Sequence, residues 1–217
     1  MIKIDSLTDL TGHIDRLRAV VLDLDDTLYS EREYVKSGFV AVAEALPLVE
    51  SAEEKLWSLF ERGERAIDAL LLSEGIYSEE FKEKCLNLYR SHQPDIHLCD
   101  GAEELLSELR REGYLIGIIT DGRPEGQRAK IAALSLEKLV DEIIITDELG
   151  GIEYRKPCET AFELMRSRLS ALSGREIAYS EMCYVGDNVS KDFIAPEALG
   201  MRAIWINNPD GIYSADF

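Results

Sequence analysis

Short apolar runs alternate with amphipathic segments along most of the 217-residue chain. Five runs predict buried strands. They lie at Ala19–Leu22, Tyr114–Ile119, Ile143–Ile145, Met182–Val185 and Ala203–Ile206. Apolar residues at helical spacing predict helices between the later runs, at Ala102–Leu109 and Ala161–Leu169, and Pro157 suits the first turn of the second helix. Alternating strands and helices predict a doubly wound, Rossmann-like α/β domain with a parallel sheet.

The stretch between the first two predicted strands has helical periodicity instead. One apolar stripe runs from Val35 to Leu46, a longer one runs from Leu56 to Leu71, and a third helix fits Ser78 to about Arg90. Ser51 and Glu54 have the spacing of a capping box, which predicts the start of the longer helix. The spacing of these apolar residues is typical of the core of a small helix bundle.

This break in the pattern predicts two domains. We assign residues 1–29 and 96–217 to the α/β core and residues 30–95 to an inserted helical cap domain. Because the insertion follows the first strand, we expect it over the carboxyl edge of the sheet, where it would act as a lid.

Composition narrows the class of protein. Hydrophobic residues make up 46% of the chain and charged residues 30%, which is ordinary for a globular protein. No apolar run is long enough to cross a bilayer, and the first residues lack the apolar core of a signal peptide. We therefore expect a cytoplasmic protein with no membrane partner. Its four cysteines are far apart, which favours free thiols over a zinc site or disulfides.

The net charge of −18 argues against nucleic acid as a partner, because that binding depends on neutralising phosphates with lysine and arginine. The same charge would repel a small phosphate ester from the surface as a whole. Any phosphate site must therefore be locally positive, through a metal ion, a few cations or helix N-termini.

Candidate chemistry begins with the segment Asp23-Leu24-Asp25-Asp26-Thr27, directly after the first predicted strand. Asp23 and Asp25 are two residues apart, so in extended backbone their side chains share one side. A divalent cation relieves the repulsion between two carboxylates, and Mg²⁺ suits oxygen ligands and phosphate substrates. One carboxylate can then attack phosphorus while the other donates and accepts a proton.

Further polar motifs follow other predicted strands. Thr120 and Gly122 lie in a turn where a hydroxyl and free backbone amides can hold phosphoryl oxygens. Lys156 precedes a helix N-terminus, so it can neutralise both a phosphate and a nucleophile. Asp187, with Asp192 soon after it, follows a fourth strand and can complete a Mg²⁺ site.

Each motif is a weak signal by itself. Their order, their positions at strand ends and the helical insertion between the first two together form a pattern that is specific enough to compare with known families. The chain resembles the haloacid dehalogenase-like hydrolase superfamily, in its phosphatase branch with a helical cap after the first motif. The resemblance covers essentially the whole chain. It implies a phosphatase that hydrolyses a small phosphate monoester, such as a sugar phosphate or a nucleoside monophosphate, through an aspartyl-phosphate intermediate.

The resemblance also implies roles for individual residues. Asp23 corresponds to the nucleophile and Asp25 to the general acid and base, whose pKa we expect to be raised because it must carry a proton in the first half-reaction. The implied catalytic set is Asp23, Asp25, Thr120 and Lys156. The implied substrate-binding set is Thr120, Asp121, Gly122, Arg123 and Lys156. The implied Mg²⁺ ligands are Asp23, Asp25 through its backbone carbonyl, and Asp187, with Asp192 binding the ion or lying beside its ligands.

One residue departs from the commonest family pattern. Asp121 stands where asparagine is frequent, and a carboxylate beside a phosphate lowers affinity unless it points away or is neutralised. Arg123 is our candidate for neutralising it.

Two other functions remain open. A phosphomutase would use the same pair of aspartates, whereas the dehalogenases of the superfamily lack an aspartate at the position of Asp25. A non-catalytic binding protein could keep the fold. Substrate choice is expected to depend on residues just after the first motif or on the inserted helices, namely Tyr29, Glu31, Arg32, Arg62 and Arg65.

Overall fold

The computed structural model describes residues 1–212, and its central feature is one parallel sheet of six strands. The strands are β1 (Ile2–Ile4), β2 (Ala19–Leu22), β3 (Leu115–Thr120), β4 (Glu142–Ile145), β5 (Met182–Gly186) and β6 (Arg202–Ile206). Their order across the sheet is β1-β6-β5-β2-β3-β4. The prediction of a doubly wound α/β fold is confirmed.

Eight α-helices occur within these residues. They are α1 (Glu31–Glu44), α2 (Ala52–Glu61), α3 (Ala66–Ser73), α4 (Glu79–Ser91), α5 (Ala102–Arg111), α6 (Pro124–Ala133), α7 (Thr160–Ser173) and α8 (Ile194–Leu199). Across residues 1–212, no helix is both long enough and apolar enough to span a membrane. All four cysteines are free thiols, two of them buried and two half-buried.

The core forms around β2, which lies between β5 and β3 and is buried along its whole length. All four of its residues are apolar, so the strand places no polar side chain against the helices that cover the sheet. This is the pattern expected for a central parallel strand. α5 and α7 both pack against β3, and α7 buries Phe162, Met165 and Leu169. The carboxyl end of β2 is thereby held at the middle of the sheet edge.

The chain divides into two compact units. The first contains Met1–Glu31 and the described chain from His97 onward, including the whole sheet; the second is Arg32–Ile96. Within the first unit, Tyr29 and Leu98 form an antiparallel bridge, so the chain leaves and re-enters this unit at neighbouring points.

Several elements differ from the pattern-based predictions. β1, α6 and α8 were not predicted, and the single long helix expected from Leu56 to Leu71 is two helices, α2 and α3. Ser51 does precede α2, but its backbone is left-handed and its side chain makes no capping hydrogen bond, so the predicted capping box is wrong. Pro157 lies before the first turn of α7 and not within it.

Candidate active site

The polar residues predicted from the motifs lie at the carboxyl edge of the sheet. Asp23 directly follows β2, Thr120 is the last residue of β3, and Asp187 directly follows β5. These three strands are neighbours in the sheet, and the Asp23 N–H donates to the Val185 carbonyl at 2.8 Å, extending the β2–β5 pairing. Parallel pairing therefore delivers side chains from distant parts of the chain to one place.

Lys156 is the buried cation beside the predicted nucleophile. Its Nζ lies 2.5 Å from Asp23 Oδ1 and 2.9 Å from Asp192 Oδ1, and it donates to the Tyr184 hydroxyl at 2.8 Å. Burial lowers the pKa of Lys156, but Asp192 and Asp23 outweigh burial and hold that pKa well above its usual value. The ammonium therefore stays charged beside the predicted nucleophile.

Asp23, Asp187 and Asp192 form a carboxylate cluster in which one oxygen from each lies within 4.8 Å of the others. Burial raises the pKa of Asp187 to about 8, and the charges of Asp23 and Asp192 add to the effect. Burial likewise raises the pKa of Asp23 to about 7, although Lys156 opposes the shift. Even with Lys156 present, the cluster holds more negative charge than its surroundings stabilise.

The excess negative charge of the cluster bears on whether these residues fit the metal ion implied by the resemblance. Carboxylate oxygens at this spacing are the ligands of a hard divalent cation, which would neutralise the excess negative charge. Gly186 makes room for the cluster, because a Cβ at that position would lie 2.5 Å from Asp192 Oδ2. The side chains present therefore fit a Mg²⁺-like ion.

Asp25 has a different environment from Asp23. Its Oδ1 accepts a short hydrogen bond from the Tyr29 hydroxyl and lies 2.6 Å from Lys130 Nζ, while its Oδ2 accepts from Gln127 Nε2 at 2.9 Å. Burial raises the pKa of Asp25, but the charge of Lys130 and these hydrogen bonds outweigh burial, so the pKa lies below its usual value. The predicted raised pKa for Asp25 is wrong, because nothing in the motifs indicated Lys130.

The turn after β3 holds the other predicted phosphate-binding residues. Thr120 is buried, and its Oγ1 accepts from Gln127 Nε2 at 2.5 Å, which leaves the hydroxyl hydrogen available for another acceptor. Gly122 has φ +141°, which favours glycine in this turn. Arg123 is exposed.

Asp121 uses its carboxylate to organise the surrounding loops. Its Oδ1 accepts from Thr146 Oγ1 at 2.9 Å and from the Lys156 backbone N–H at 3.0 Å, and its Oδ2 lies 3.0 Å from Lys191 Nζ. Burial raises the pKa of Asp121, but Lys156 and Lys191 outweigh it and lower that pKa. Lys156 and Lys191, not Arg123, are therefore the cations whose charges act on this carboxylate, and Lys191 is the one that contacts it through its ammonium group.

The sequence reasoning missed four polar residues of the site, namely Tyr184, Gln127, Lys130 and Lys191. Lys191 lies between the two aspartates of the fourth motif, so its position was a usable signal. Tyr184 lies within a buried strand, where an aromatic residue ordinarily indicates packing, and its hydroxyl function appears only with Lys156 beside it.

The candidate specificity residues belong to both units. In the first, Tyr29 contacts Asp25, and burial with the charge of Asp25 raises the pKa of Glu31 to about 8. In the second, Arg32 lies 3.6 Å from Glu61 and over the ring of Trp57. The two other candidate arginines of that unit are Arg62, which pairs with Glu64 at 2.7 Å, and Arg65, which is exposed. A role of these residues in substrate choice stays a prediction.

Comparison with known proteins identifies the relatives of this chain. A family model described as haloacid dehalogenase-like hydrolase matches residues 20–206. A Pyrococcus furiosus protein named glyceraldehyde 3-phosphate phosphatase is 33% identical over 105 residues, which are 48% of this chain and 40% of that relative. A Thermus thermophilus protein named phosphoserine phosphatase is 28% identical over 231 residues, covering 88% of this chain and 89% of the relative.

Solved structures agree on the fold. A Bacillus subtilis protein described as a HAD-hydrolase bound to magnesium superposes with a TM-score of 0.64 at 19% identity, covering 89% of this chain and 88% of that one. At this level of identity the likeness supports the architecture, and the chemistry depends on the residues of the site itself.

Proposed function

This chain belongs to the haloacid dehalogenase-like hydrolase family, and we propose that it is a Mg²⁺-dependent phosphatase that hydrolyses a small phosphate monoester through a phosphoryl group carried on Asp23. The observation that carries the proposal is the buried Lys156 ammonium between Asp23 and Asp192. A buried cation that pairs with a nucleophilic carboxylate can also neutralise the equatorial oxygens of a phosphoryl group during transfer. The phosphatase names of the relatives support the same class of reaction.

In the proposed reaction, a carboxylate oxygen of Asp23 attacks phosphorus while the bond from phosphorus to the ester oxygen breaks. Although burial raises the pKa of Asp25, Lys130 and the hydrogen-bond donors outweigh burial and lower that pKa. The carboxylate must therefore bind a proton in the substrate complex before it gives one to the departing alcohol. It then takes a proton from the water that attacks phosphorus in the second step, which frees Asp23 and releases inorganic phosphate. Lys156 and the Thr120 hydroxyl hold the phosphoryl oxygens during both transfers.

Asp23, Asp187 and Asp192 are the side chains that would hold Mg²⁺, together with the Asp25 backbone carbonyl predicted from the resemblance. When bound, the ion would supply positive charge to the phosphoryl oxygens and reduce the repulsion between Asp23 and the incoming phosphate. This charge matters because the chain as a whole is strongly acidic.

For the substrate, we favour a small sugar phosphate or hydroxy acid phosphate over a nucleoside monophosphate. The names of the two relatives above support this choice, since both denote small acyclic phosphate esters. We further propose that residues 32–96 act as the specificity domain, because the groups assigned to the chemistry all belong to the first unit. Arg32, Arg62 and Arg65 are the residues of that domain that we expect to affect substrate preference.

The test is release of inorganic phosphate from a panel of phosphate monoesters, with and without Mg²⁺. We expect Mg²⁺-dependent release, and we expect Asp23→Asn to lower it by at least about a thousandfold, equivalent to ~4 kcal/mol of barrier. Asp15→Asn is the matched control, because Asp15 is an exposed aspartate of the same unit and should not affect the rate. Near-normal rates in Asp23→Asn would overturn the proposal, and phosphoryl transfer between substrates without phosphate release would favour a phosphomutase.

A further inference from the structure

Tyr184 is a buried residue of the site that the proposed mechanism does not use. It lies in β5, and its ring packs edge-on against Phe162 and Phe193, with ring centres 5.1 Å and 6.5 Å away. These contacts require only an aromatic ring. A phenylalanine would make them without the loss of hydration that a buried hydroxyl undergoes. The hydroxyl therefore needs an explanation of its own.

The Tyr184 hydroxyl makes two hydrogen bonds within the first unit. It donates to the Ile119 carbonyl at 3.3 Å and accepts from Lys156 Nζ at 2.8 Å. Ile119 belongs to β3, which is separated from β5 by β2, so the Tyr184 side chain crosses the central strand to reach it. Because the single hydroxyl hydrogen is directed to the carbonyl, the oxygen lone pairs remain for the ammonium. The hydroxyl is thus an acceptor toward Lys156.

This acceptor fixes the orientation of the Lys156 ammonium. Lys156 donates one hydrogen bond to Asp23 Oδ1 at 2.5 Å and one to the Tyr184 hydroxyl. Asp192 Oδ1 lies 2.9 Å from the same nitrogen and supplies negative charge, but its angle to Nζ is not that of a hydrogen bond. Since the N–H bonds of an ammonium are tetrahedral, two directed bonds determine the direction of the third. Without the hydroxyl, the ammonium could turn about its bond to Asp23.

The charge of Lys156 has other supports. Burial lowers the pKa of Lys156, and Asp192 and Asp23 provide most of the opposing effect that holds this pKa well above its usual value. A neutral hydroxyl therefore contributes direction more than charge. We propose that Tyr184 is a positioning residue, whose hydroxyl directs the Lys156 ammonium toward the Asp23 carboxylate and the phosphoryl group that Asp23 attacks. This inference rests on the proposed phosphatase function and deepens it.

The test is a double-mutant cycle with 4-nitrophenyl phosphate and Mg²⁺. Tyr184→Phe keeps the ring and removes only the hydroxyl. We expect it to lower kcat/KM by at least about tenfold, because a misdirected ammonium stabilises the transferring group less well. In a Lys156→Met background the same substitution should change kcat/KM by less than about twofold, since no ammonium remains to be directed. A merely structural role of the hydroxyl would give equal losses in both backgrounds.

The affinity for orthovanadate gives the cycle a readout that does not depend on turnover. Orthovanadate adopts the five-coordinate geometry of a transferring phosphoryl group, and calorimetry measures its dissociation constant for each variant. We expect Tyr184→Phe to weaken binding by at least about fivefold when Lys156 is present, and by less than about twofold in Lys156→Met. These constants decide the question if Lys156→Met turns over too slowly to measure.

Tyr114→Phe is the matched control. Tyr114 directly precedes β3, so it lies at the opposite edge of the sheet from the site, and its hydroxyl also donates to a backbone carbonyl, that of Ile14, at 3.5 Å. This substitution should leave kcat/KM and orthovanadate affinity unchanged in both backgrounds. Tyr184→Met also lacks the hydroxyl, and it provides a second test if Tyr184→Phe does not fold.

Each outcome distinguishes this inference from the proposed function. A smaller loss for Tyr184→Phe, or an equal loss with and without Lys156, would overturn the positioning role while leaving the phosphatase proposal intact. Full turnover by Lys156→Met would overturn the assigned role of Lys156 and both proposals that depend on it. Absence of Mg²⁺-dependent turnover by the unaltered protein would overturn the proposed function, and this inference with it. The expected loss, confined to proteins that retain Lys156, supports both.

Discussion

At the scale of single residues, three aspartates of the site differ in pKa because their surroundings differ. Asp25 is surrounded by donors that lower its pKa, whereas burial and neighbouring carboxylates raise the pKa of Asp23 to about 7 and that of Asp187 to about 8. Lys156 compensates Asp23 in part, because its Nζ lies 2.5 Å from the carboxylate. Asp187, which has no ion pair of this kind within residues 1–212, therefore adds to the electrostatic demand for a cation.

This demand makes the stability of the metal-free protein depend on pH. Asp187 has a pKa near 3.8 when unperturbed and about 8 in the folded protein, so the folded state holds a proton that the unfolded chain gives up. Its contribution to the free energy of unfolding is fully present below about pH 4 and is lost as the pH rises through about 8. We expect Asp187→Asn to lose less stability than the unaltered protein over that interval.

Urea denaturation without metal, repeated across this pH interval, measures the difference. Asp15→Asn should follow the unaltered protein, because Asp15 is exposed. Adding Mg²⁺ should stabilise the unaltered protein more than Asp187→Asn, and more at the alkaline end of the interval, where its ligands carry their charges. Parallel curves for Asp187→Asn and the unaltered protein would contradict the assignment of Asp187.

At the scale of elements, local sequence signals identified those helices whose buried face is apolar. α5 was predicted because its leucines repeat at helical spacing, and all of them are buried. α6 was missed because its buried face includes Gln127 and Lys130, so the apolar repeat that identifies a helix is interrupted. The pattern failed at the helix that contacts Asp25, because polar contacts replace apolar packing on part of its buried face.

Whether a serine caps the helix that follows it depends on the local backbone geometry. Ser78 caps α4, since its side chain accepts from the Phe81 N–H, whereas Ser51 makes no side-chain capping bond before α2. We expect Ser78→Ala to lower the free energy of unfolding at α4 by about 1 kcal/mol. Ser51→Ala is the matched control and should change stability by less than about 0.5 kcal/mol.

Hydrogen exchange of the α4 and α2 amides under native conditions measures both effects. Protection should fall in α4 for Ser78→Ala and stay unchanged in α2 for Ser51→Ala. Equal losses from the two substitutions would show that a serine before a helix stabilises it here without the capping bond.

At the scale of the whole molecule, the sequence was sufficient for the α/β class and for five of the six strands, because those strands carry runs of buried apolar residues. β1 has only three residues, Ile2–Ile4, which is too short for a periodic signal. The strand order and the contacts of Tyr184 and Lys130 were not predictable, since they depend on pairing between residues far apart in the chain.

The division of the chain into two compact units is a second feature of the whole molecule. The units meet in sequence at Glu31–Arg32 and Ile96–His97, close to the predicted boundaries, and the motif residues all fall in the first unit. This arrangement agrees with a separation between the chemistry and the choice of substrate, which remains our proposal for residues 32–96.

The central claim is that Asp23 carries the phosphoryl group, and the most direct measurement is a rapid-mixing experiment on Asp25→Asn with 4-nitrophenyl phosphate and Mg²⁺. This variant keeps the nucleophile but lacks the base for the second step, and the nitrophenolate leaves without a proton. We predict a burst of nitrophenolate equal to the enzyme concentration, followed by slow turnover, with a phosphoryl group on the Asp23 peptide after acid quenching. Nitrophenolate release without a burst and without phosphorylated Asp23, or a phosphoryl group on another residue, would contradict the account.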